Sequence, residues 1–246
     1  MEKLKNPEAE QEYQIALAAD RDSSDAMTAL TNYYTAQHRY GDAENLLRKL
    51  AILRPNDASI HIQLGRMLAM SGKSEDAATE LESGLKLDPS DENAKRDLAE
   101  VYSDQKKFGD AEKIYRDLLS KLPNDAGLHY RLGRSLLQQK KFDLSQQELM
   151  KAVQLKPDVG EPYGDLAIAA NENKNYPIVI QALDLRAKFL PDNPMTYFLR
   201  ATAYDHMRDT KQASKYYREF LNVAGGKFPD QEWQATHRLI AIEPRK

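Results

Sequence analysis

The sequence predicts an all-α chain built as a solenoid of stacked two-helix repeats, and three observations carry that prediction. Five prolines, Pro55, Pro89, Pro123, Pro157 and Pro191, stand 34 residues apart. Small residues recur on the same lattice: Thr31, Gly65, Ala99, Gly133, Ala167 and Ala201 in one series, and Ala9, Ala43, Ala77, Ala111 and Ala213 in another, with Ser145 and Val179 in its gaps. Large ones recur beside them: Leu30, Leu64, Leu98, Leu132 and Leu166 up to a departure at Arg200, then Tyr13, Leu47, Leu81, Tyr115, Leu149, Leu183 and Tyr217. Small residues repeat where helix backbones approach closely, and large ones where the space between helices is filled. A 34-residue period is that of a helix–turn–helix solenoid, whose repeats each contact only their neighbours.

Taken in order, residues 7–19 match only the second helix of a repeat, with Ala9, Tyr13 and Ala16 in phase. An unpartnered helix of that kind leaves an apolar edge. It acts either as an N-terminal cap (residues 1–23) or as half of a repeat cut from a longer protein, and the edge gives a route to self-association. Six full repeats follow at 24–57, 58–91, 92–125, 126–159, 160–193 and 194–227. In the third, Leu98, Val101 and Tyr102 share one face of a helix A over 92–105, and helix B runs over 108–121. Tyr40, Phe108, Phe142 and Tyr176 recur at the heads of B helices, where each ring is expected to pack back over the A–B turn. Proline ends each repeat because it cannot continue helix B, and the Asn, Ser or Asp after it caps the next helix A. Pro162, Pro177 and Pro194 fall in first turns, where a missing N–H costs little. Gly225-Gly226 breaks the phase, and a final helix over 230–242, within a capping segment 228–246, is predicted to cover the last repeat with Trp233, Ala235, Leu239, Ile240 and Ile242. Gln231, Glu232, Gln234 and Arg238 would then face water.

These residues resemble the tetratricopeptide repeat family, whose unit carries Leu-Gly, Tyr, Ala and Pro at such offsets. Leu64-Gly65, Leu68, Ala77, Leu81 and Pro89 form the clearest copy, and Leu98-Ala99, Tyr102, Ala111, Tyr115 and Pro123 the next. The resemblance implies a right-handed superhelix of antiparallel helix pairs covering nearly the whole chain. The family's usual Trp is replaced by Met27, His61, Lys95, His129, Tyr163 and Tyr197, and Arg186 and Arg200 occupy slots that are usually apolar, so packing is expected to depart there.

Composition narrows the function classes. Among 246 residues 30% are charged, yet the net charge is only −3, which disfavours general nucleic-acid binding. No apolar run approaches about 18 residues, so no direct membrane insertion is expected. Cysteine is absent, which removes disulfides, thiolate zinc sites and thiol nucleophiles and suits the cytoplasm or, behind a removed leader, the bacterial periplasm. Met1, Glu2, Lys3 and Lys5 do not read as a signal peptide. The histidines His38, His61, His129, His206 and His237 lie in no metal-ligand spacing, and no phosphate-binding or nucleophile motif appears beyond a chance Ser103-x-x-Lys106. No cofactor, metal or catalytic residue is therefore expected. His61 and His129 are expected to be half-buried packing residues.

What remains is a binding surface. The resemblance implies that helix A lines an inner groove whose ligand-facing residues here are Asn32, Gln63, Arg66, Arg96, Glu100, Tyr130, Arg131, Arg134, Gln138, Asp165 and Phe198, with Glu161, Asn171, Glu172 and Asp205 making the far end acidic. Arginine forks grip carboxylates bidentately, so an acidic or C-terminal segment of a protein partner is the expected ligand. Alternatively, those arginines pair with Asp97, Glu100 and their neighbours on a solvated face. The Lys/Asn clamp by which some family members hold chaperone C-termini is missing: Thr28, Asn32 and Gln63 stand at its places. The expected role is a non-catalytic protein-interaction scaffold. Its rival is an accessory segment of a larger exported or membrane-anchored protein or enzyme.

Overall fold

The computed structural model describes residues 7–243, and among these it holds fourteen helices and no strand. α1 (Pro7–Ala19) precedes six A–B pairs. These are α2 (Ser24–Ala36) and α3 (Tyr40–Leu53), α4 (Ala58–Met70) and α5 (Ser74–Leu87), and α6 (Glu92–Asp104) and α7 (Phe108–Lys121). Then come α8 (Ala126–Gln138) and α9 (Phe142–Leu155), α10 (Glu161–Glu172) and α11 (Tyr176–Arg186), and α12 (Pro194–His206) and α13 (Thr210–Ala224). α14 (Pro229–Ile242) follows. The chain divides into two compact bodies, Met1–Ile114 and Tyr115–Lys246. In the first, α1 to α6 pack in succession; in the second, α8 to α14 do.

Local chemistry sets each boundary. Ser23, Asp57, Asp91 and Asp125 accept from backbone N–H groups at the head of α2, α4, α6 and α8, and Asn193 forms a reciprocal capping box with Thr196 at α12. α10 lacks a side-chain cap behind Gly160 and starts on a proline in its first turn instead. The A–B turns share a device not visible from the proline lattice. His38, Gly72, Lys106, Lys140, Lys174 and Arg208 are again 34 apart, and each is left-handed, with φ between 58° and 74°. The N–H that follows each of them bonds to the carbonyl five residues back, as in Lys73 to Leu68 (2.9 Å) and Lys141 to Leu136 (2.9 Å), which closes a Schellman-type turn.

Packing follows the small–large alternation. Ala43, Ala77, Leu81, Ala99, Ala111, Leu132, Leu149, Ala167, Ala201 and Ala213 are wholly buried. In the N-terminal body neighbouring repeats are also tied electrostatically. Glu10 pairs with Arg39 (2.9 Å), and 34 residues on Glu44 pairs with Lys73 (2.8 Å). Glu44 is buried, and the Lys73 hydrogen bond holds its carboxyl below the usual range despite the desolvation.

His61 and His129 sit at equivalent places and do more than fill space. In each, Nδ1 meets a carboxylate of the following helix B, Glu80 (2.7 Å) or Glu148 (2.6 Å), and Nε2 meets the carbonyl of the lattice proline six residues earlier, Pro55 or Pro123 (both 3.0 Å). Both partners are acceptors, and at His61 the arrangement favours imidazolium. Tyr163 makes the same backward reach to Pro157 O (3.0 Å) through its hydroxyl. For His61, burial opposes the charge, but the bonds to Glu80 and Pro55 outweigh it and raise its pKa above 6.5.

The two departing arginines resolve differently. Arg186 is half-buried and donates to Pro191 O (2.9 Å), bracing the loop that ends repeat five. Arg200 is 3% exposed, pairs with the exposed Asp184, lies 5.6 Å from the Tyr216 ring centre and leaves Nε without a partner. At the C-terminus the reading of α14 needs correction. Ala235, Leu239 and Ile242 join the last core, whereas Trp233 (65% exposed) and Ile240 (67%) lie outside it, and Gln231 and Glu232 are half-buried. Helical phase allows only one of the two stripes to face α13. At the other end Ala9 is buried, Ile15 is 65% exposed and Ala16 is exposed.

Two tests follow from this packing. Arg200→Leu restores the residue that earlier repeats carry and removes a buried N–H without a partner, so stability is expected to rise by up to about 1–4 kcal/mol; a lowered melting temperature would mean that the Asp184 pair dominates. For His61, a pKa raised on folding contributes stability that is complete below the unfolded value and is lost as pH climbs through the folded value. The stability deficit of His61→Gln is therefore expected to be largest below about pH 6.5 and to shrink toward pH 9 in denaturant titrations; a deficit that grows with pH would refute the charged-imidazole contact.

Candidate functional site

The exposed sides of the A helices carry most of the residues picked out from sequence, but on two separate bodies. In the N-terminal body Asn32 lies exposed on α2, Gln63 exposed and Arg66 half-buried on α4, and Arg96 and Glu100 half-buried on α6. Arg66 Nε bonds Asp97 Oδ2 at 2.5 Å, so this arginine ties α4 to α6 and does not point freely at solvent. In the C-terminal body Arg131, Arg134 and Gln138 are exposed on α8, and Tyr130 is half-buried beside them.

Three of these residues meet. The Tyr130 hydroxyl and the Asp165 carboxylate on α10 are close enough to influence each other, Arg134 Nε lies 3.4 Å from Asp165 Oδ2, and the Arg134 guanidinium stands 5.7 Å from the Tyr130 ring centre. Asp165 is 24% exposed and Arg134 61% exposed, so the anion sits deeper than its cation. Burial raises the Asp165 pKa, while Arg134 and the Tyr130 hydroxyl pull it back. Burial and the Asp165 charge together push the Tyr130 hydroxyl up to about 12, against the opposing pull of Arg134. Beside Tyr130 opens a cavity of about 160 Å³ lined by Gly127, Tyr130, Ala152, Lys156, Val159 and Pro162. Gly127 and Lys156 were not among the expected site residues. The signal that could have found them is the glycine near the start of α8, a place held by Asp25, Ser59 and Asn93 in the first three repeats.

Two expected site residues belong elsewhere. Phe198 is 9% exposed and packs on Phe220 (5.1 Å between centres) and Tyr217 (6.3 Å); it is a core residue, because its position on α12 turns toward α13. Asp205 accepts from Arg238 through both oxygens (2.7 and 2.8 Å) and from the Tyr217 hydroxyl (3.1 Å), which fastens α14 to α12. The Arg238 hydrogen bond lowers its pKa against the effect of burial, so this carboxylate is spent on structure. Among the described residues no group of three or more His, Asp or Glu side chains is placed to hold a metal ion, and no helix is long and apolar enough to cross a membrane.

A model described as tetratricopeptide repeat matches residues 34–101, 68–130 and 102–166, and a second tetratricopeptide repeat model matches 196–225, together more than half of the chain. The chain belongs to the tetratricopeptide repeat family. Tetratricopeptide repeat-containing protein trd-1 of Caenorhabditis elegans is 27% identical over 207 residues, which cover 82% of this chain but 23% of trd-1. The type IV pilus assembly protein PilF of Pseudomonas aeruginosa is 25% identical over 67% of this chain and 66% of its own length. The solved structure of PilF superposes with a TM-score of 0.67 over 86% of this chain and 96% of that one, at 20% identity. YrrB, described as a TPR protein with an unusual peptide-binding site, superposes with a TM-score of 0.66 over 78% of this chain and 97% of that one, at 13% identity. At such identities the structures establish the all-α tetratricopeptide fold and nothing finer.

In this tetratricopeptide chain the Tyr130–Arg134–Asp165 cluster has a direct electrostatic test. Removing the Arg134 charge with Arg134→Gln takes away the main attraction that opposes burial, so the Asp165 pKa, followed by carboxyl NMR titration, is expected to rise further. A fall, or no change, would show that the pair is not coupled.

Proposed function

We propose that the chain is a non-catalytic scaffold that binds an extended peptide or a helix of a protein partner along the exposed side of its A helices. The observation that carries this reading is the composition of one surface of the C-terminal body. There an exposed guanidinium (Arg134), a second exposed arginine (Arg131), a half-buried phenol (Tyr130) and a small adjoining cavity with Lys156 at its wall lie together. An aromatic ring beside a cavity supplies an anchor for one ligand side chain, and flanking cations supply a grip on a carboxylate. YrrB, a tetratricopeptide protein described as having a peptide-binding site, lends the reading a precedent at the level of fold alone. Asp97 holds Arg66 at 2.5 Å, whereas the equivalent Arg134 lies 3.4 Å from Asp165 and is more exposed (61% against 41%), so the arginines of α8, and not Arg66, are assigned the main role in holding an acidic ligand.

A second reading is favoured by one observation. The region shared with trd-1 is 23% of that protein, so arrays like this one also occur as parts of much longer chains, where the array would position another region.

Panning a random-peptide library on the chain tests the first reading. Enriched peptides are expected to carry Asp, Glu or a free C-terminal carboxylate, and the double substitution Arg131→Glu/Arg134→Glu is expected to weaken them by about tenfold or more with helicity and melting unchanged. Equal affinity for both proteins would remove α8 from the binding surface.

A further inference from the structure

The A–B turns carry a feature that the groove reading does not use. In the C-terminal body α8, α10 and α12 are successive neighbours, since α10 contacts both α8 and α12. Helices packed this way lie about 8–10 Å apart, so their C-terminal turns line one edge of the body at that spacing. The left-handed residues of those turns are Lys140, Lys174 and Arg208, with φ of 59°, 58° and 63°, and all three are exposed.

Two facts about these residues are independent. First, a side chain in the left-handed region is strained by roughly 1–2 kcal/mol where glycine is not, and Gly72 shows that glycine serves at this very place in the second repeat. A cation near a helix C-terminus complements the helix dipole, but any position in the last turn would do that without strain. Second, among the described residues no carboxylate pairs with Lys140, Lys174, Arg208 or the neighbouring Lys211. Arg134, Arg200, Arg218 and Arg238 of the same body each have an acidic partner, whereas Lys151, Lys188 and Lys215 share with the turn cations the lack of one, so it is the grouping of the turn cations at one edge that sets them apart. Asp143, Glu172, Asp205 and Asp209 stand close to the same turns, Asp205 already neutralised by Arg238, against five cations once Lys141 is included, so the edge remains net positive.

We propose that this edge is a docking surface for an anionic lipid bilayer, contacted peripherally and without insertion of a helix. Three features select a lipid surface over other polyanions. The cations stand on the tips of turns, which are convex, so they offer no trough for an extended acidic peptide. Two of the three are lysines, point charges suited to a fluid array of head groups more than to fixed bidentate recognition. Met207, 46% exposed, adjoins Arg208 and supplies an apolar side chain at the same level. The aromatic rings at this edge, Tyr176 and His206, stack on each other at 4.6 Å and do not stand free for nucleic-acid bases. Lys106 and Lys107 occupy the equivalent turn of the N-terminal body.

The test is co-sedimentation with vesicles of neutral phosphatidylcholine, alone or mixed with anionic phosphatidylglycerol, at low and high salt. The wild-type chain is compared with Lys140→Gly/Lys174→Gly/Arg208→Gly. The glycines remove charge while relaxing the backbone, so the variant is expected to melt no lower than wild type, which separates lost binding from lost fold. Each basic residue near an anionic leaflet is worth about a fivefold factor in binding. The variant is therefore expected to lose at least about tenfold in affinity for the anionic vesicles, with binding to neutral vesicles negligible and salt abolishing the difference. Equal sedimentation of the two proteins, or none with anionic vesicles at low salt, would overturn the proposal. So would tighter binding of the wild type to polyglutamate or to an oligonucleotide than to the vesicles.

Discussion

The rest of this architecture depends on how closely helix A can approach helix B within a pair. A methyl group added at Gly65 would lie 2.6 Å from Leu81 Cγ and 3.0 Å from its amide nitrogen, and one added at Gly133 would lie 2.7 Å from Leu149 Cγ. Ala99, Ala167 and Ala201 take the same place and are completely buried. Leu81, Leu149 and their equivalents can be wholly enclosed only because the opposing residue is this small. Interiors are packed to crystal-like density, so the contact admits little variation, and the pair geometry it sets is reused at each step of the stack. Gly84 continues it one turn along α5, where an added methyl would meet Ile62 Cγ1 at 2.6 Å.

That constraint explains which parts of the structure were legible in the sequence. Burial of small and large residues is a local property of one helix pair, so it repeats with the period and announces the helices and their order. The proline lattice likewise marks the start of each new pair, because a residue lacking an N–H has few places to go. The left-handed turn series was equally periodic but hidden, since five of its six members are not glycine and their identity carries no conformational signal. The histidine struts were half-legible. The burial of His61 and His129 was expected, but their double bonding required knowing that the proline carbonyl lies six residues back and faces the ring.

Site residues were less readable for a related reason. A position on helix A fixes only the side of the helix, whereas function depends on what the neighbouring repeat places opposite. Arg66 and Arg134 hold equivalent places and each faces an aspartate of the next helix A, yet Asp97 lies 2.5 Å from Arg66 whereas the more buried Asp165 lies 3.4 Å from Arg134, a difference the lattice does not announce. Phe198 sits where other repeats have Thr28, Ile62, Arg96, Tyr130 and Gly164, and it turns inward because Phe220 and Tyr217 offer it a larger apolar contact than solvent does. Asp205 was similarly captured by Arg238 from a helix outside the repeat lattice.

Charge in this chain therefore divides into two populations with different consequences. Carboxylates such as Glu44, Asp205 and Glu80, which faces His61, are held by basic groups of adjacent helices, and their value lies in fixing neighbours. Asp165 is the exception on the exposed side of the A helices: its burial raises its pKa while its cation stays largely in water. A carboxylate that is incompletely compensated in this way gains from any additional donor brought to it, and it leaves the Arg134 fork free to turn toward an incoming acid. The Glu44 and Asp205 pairs lack that freedom, because removing the cation leaves a desolvated carboxylate behind. A repeat protein whose scaffold is fixed by contacts inside and between adjacent pairs can vary such exposed, partly paired residues at little cost to stability.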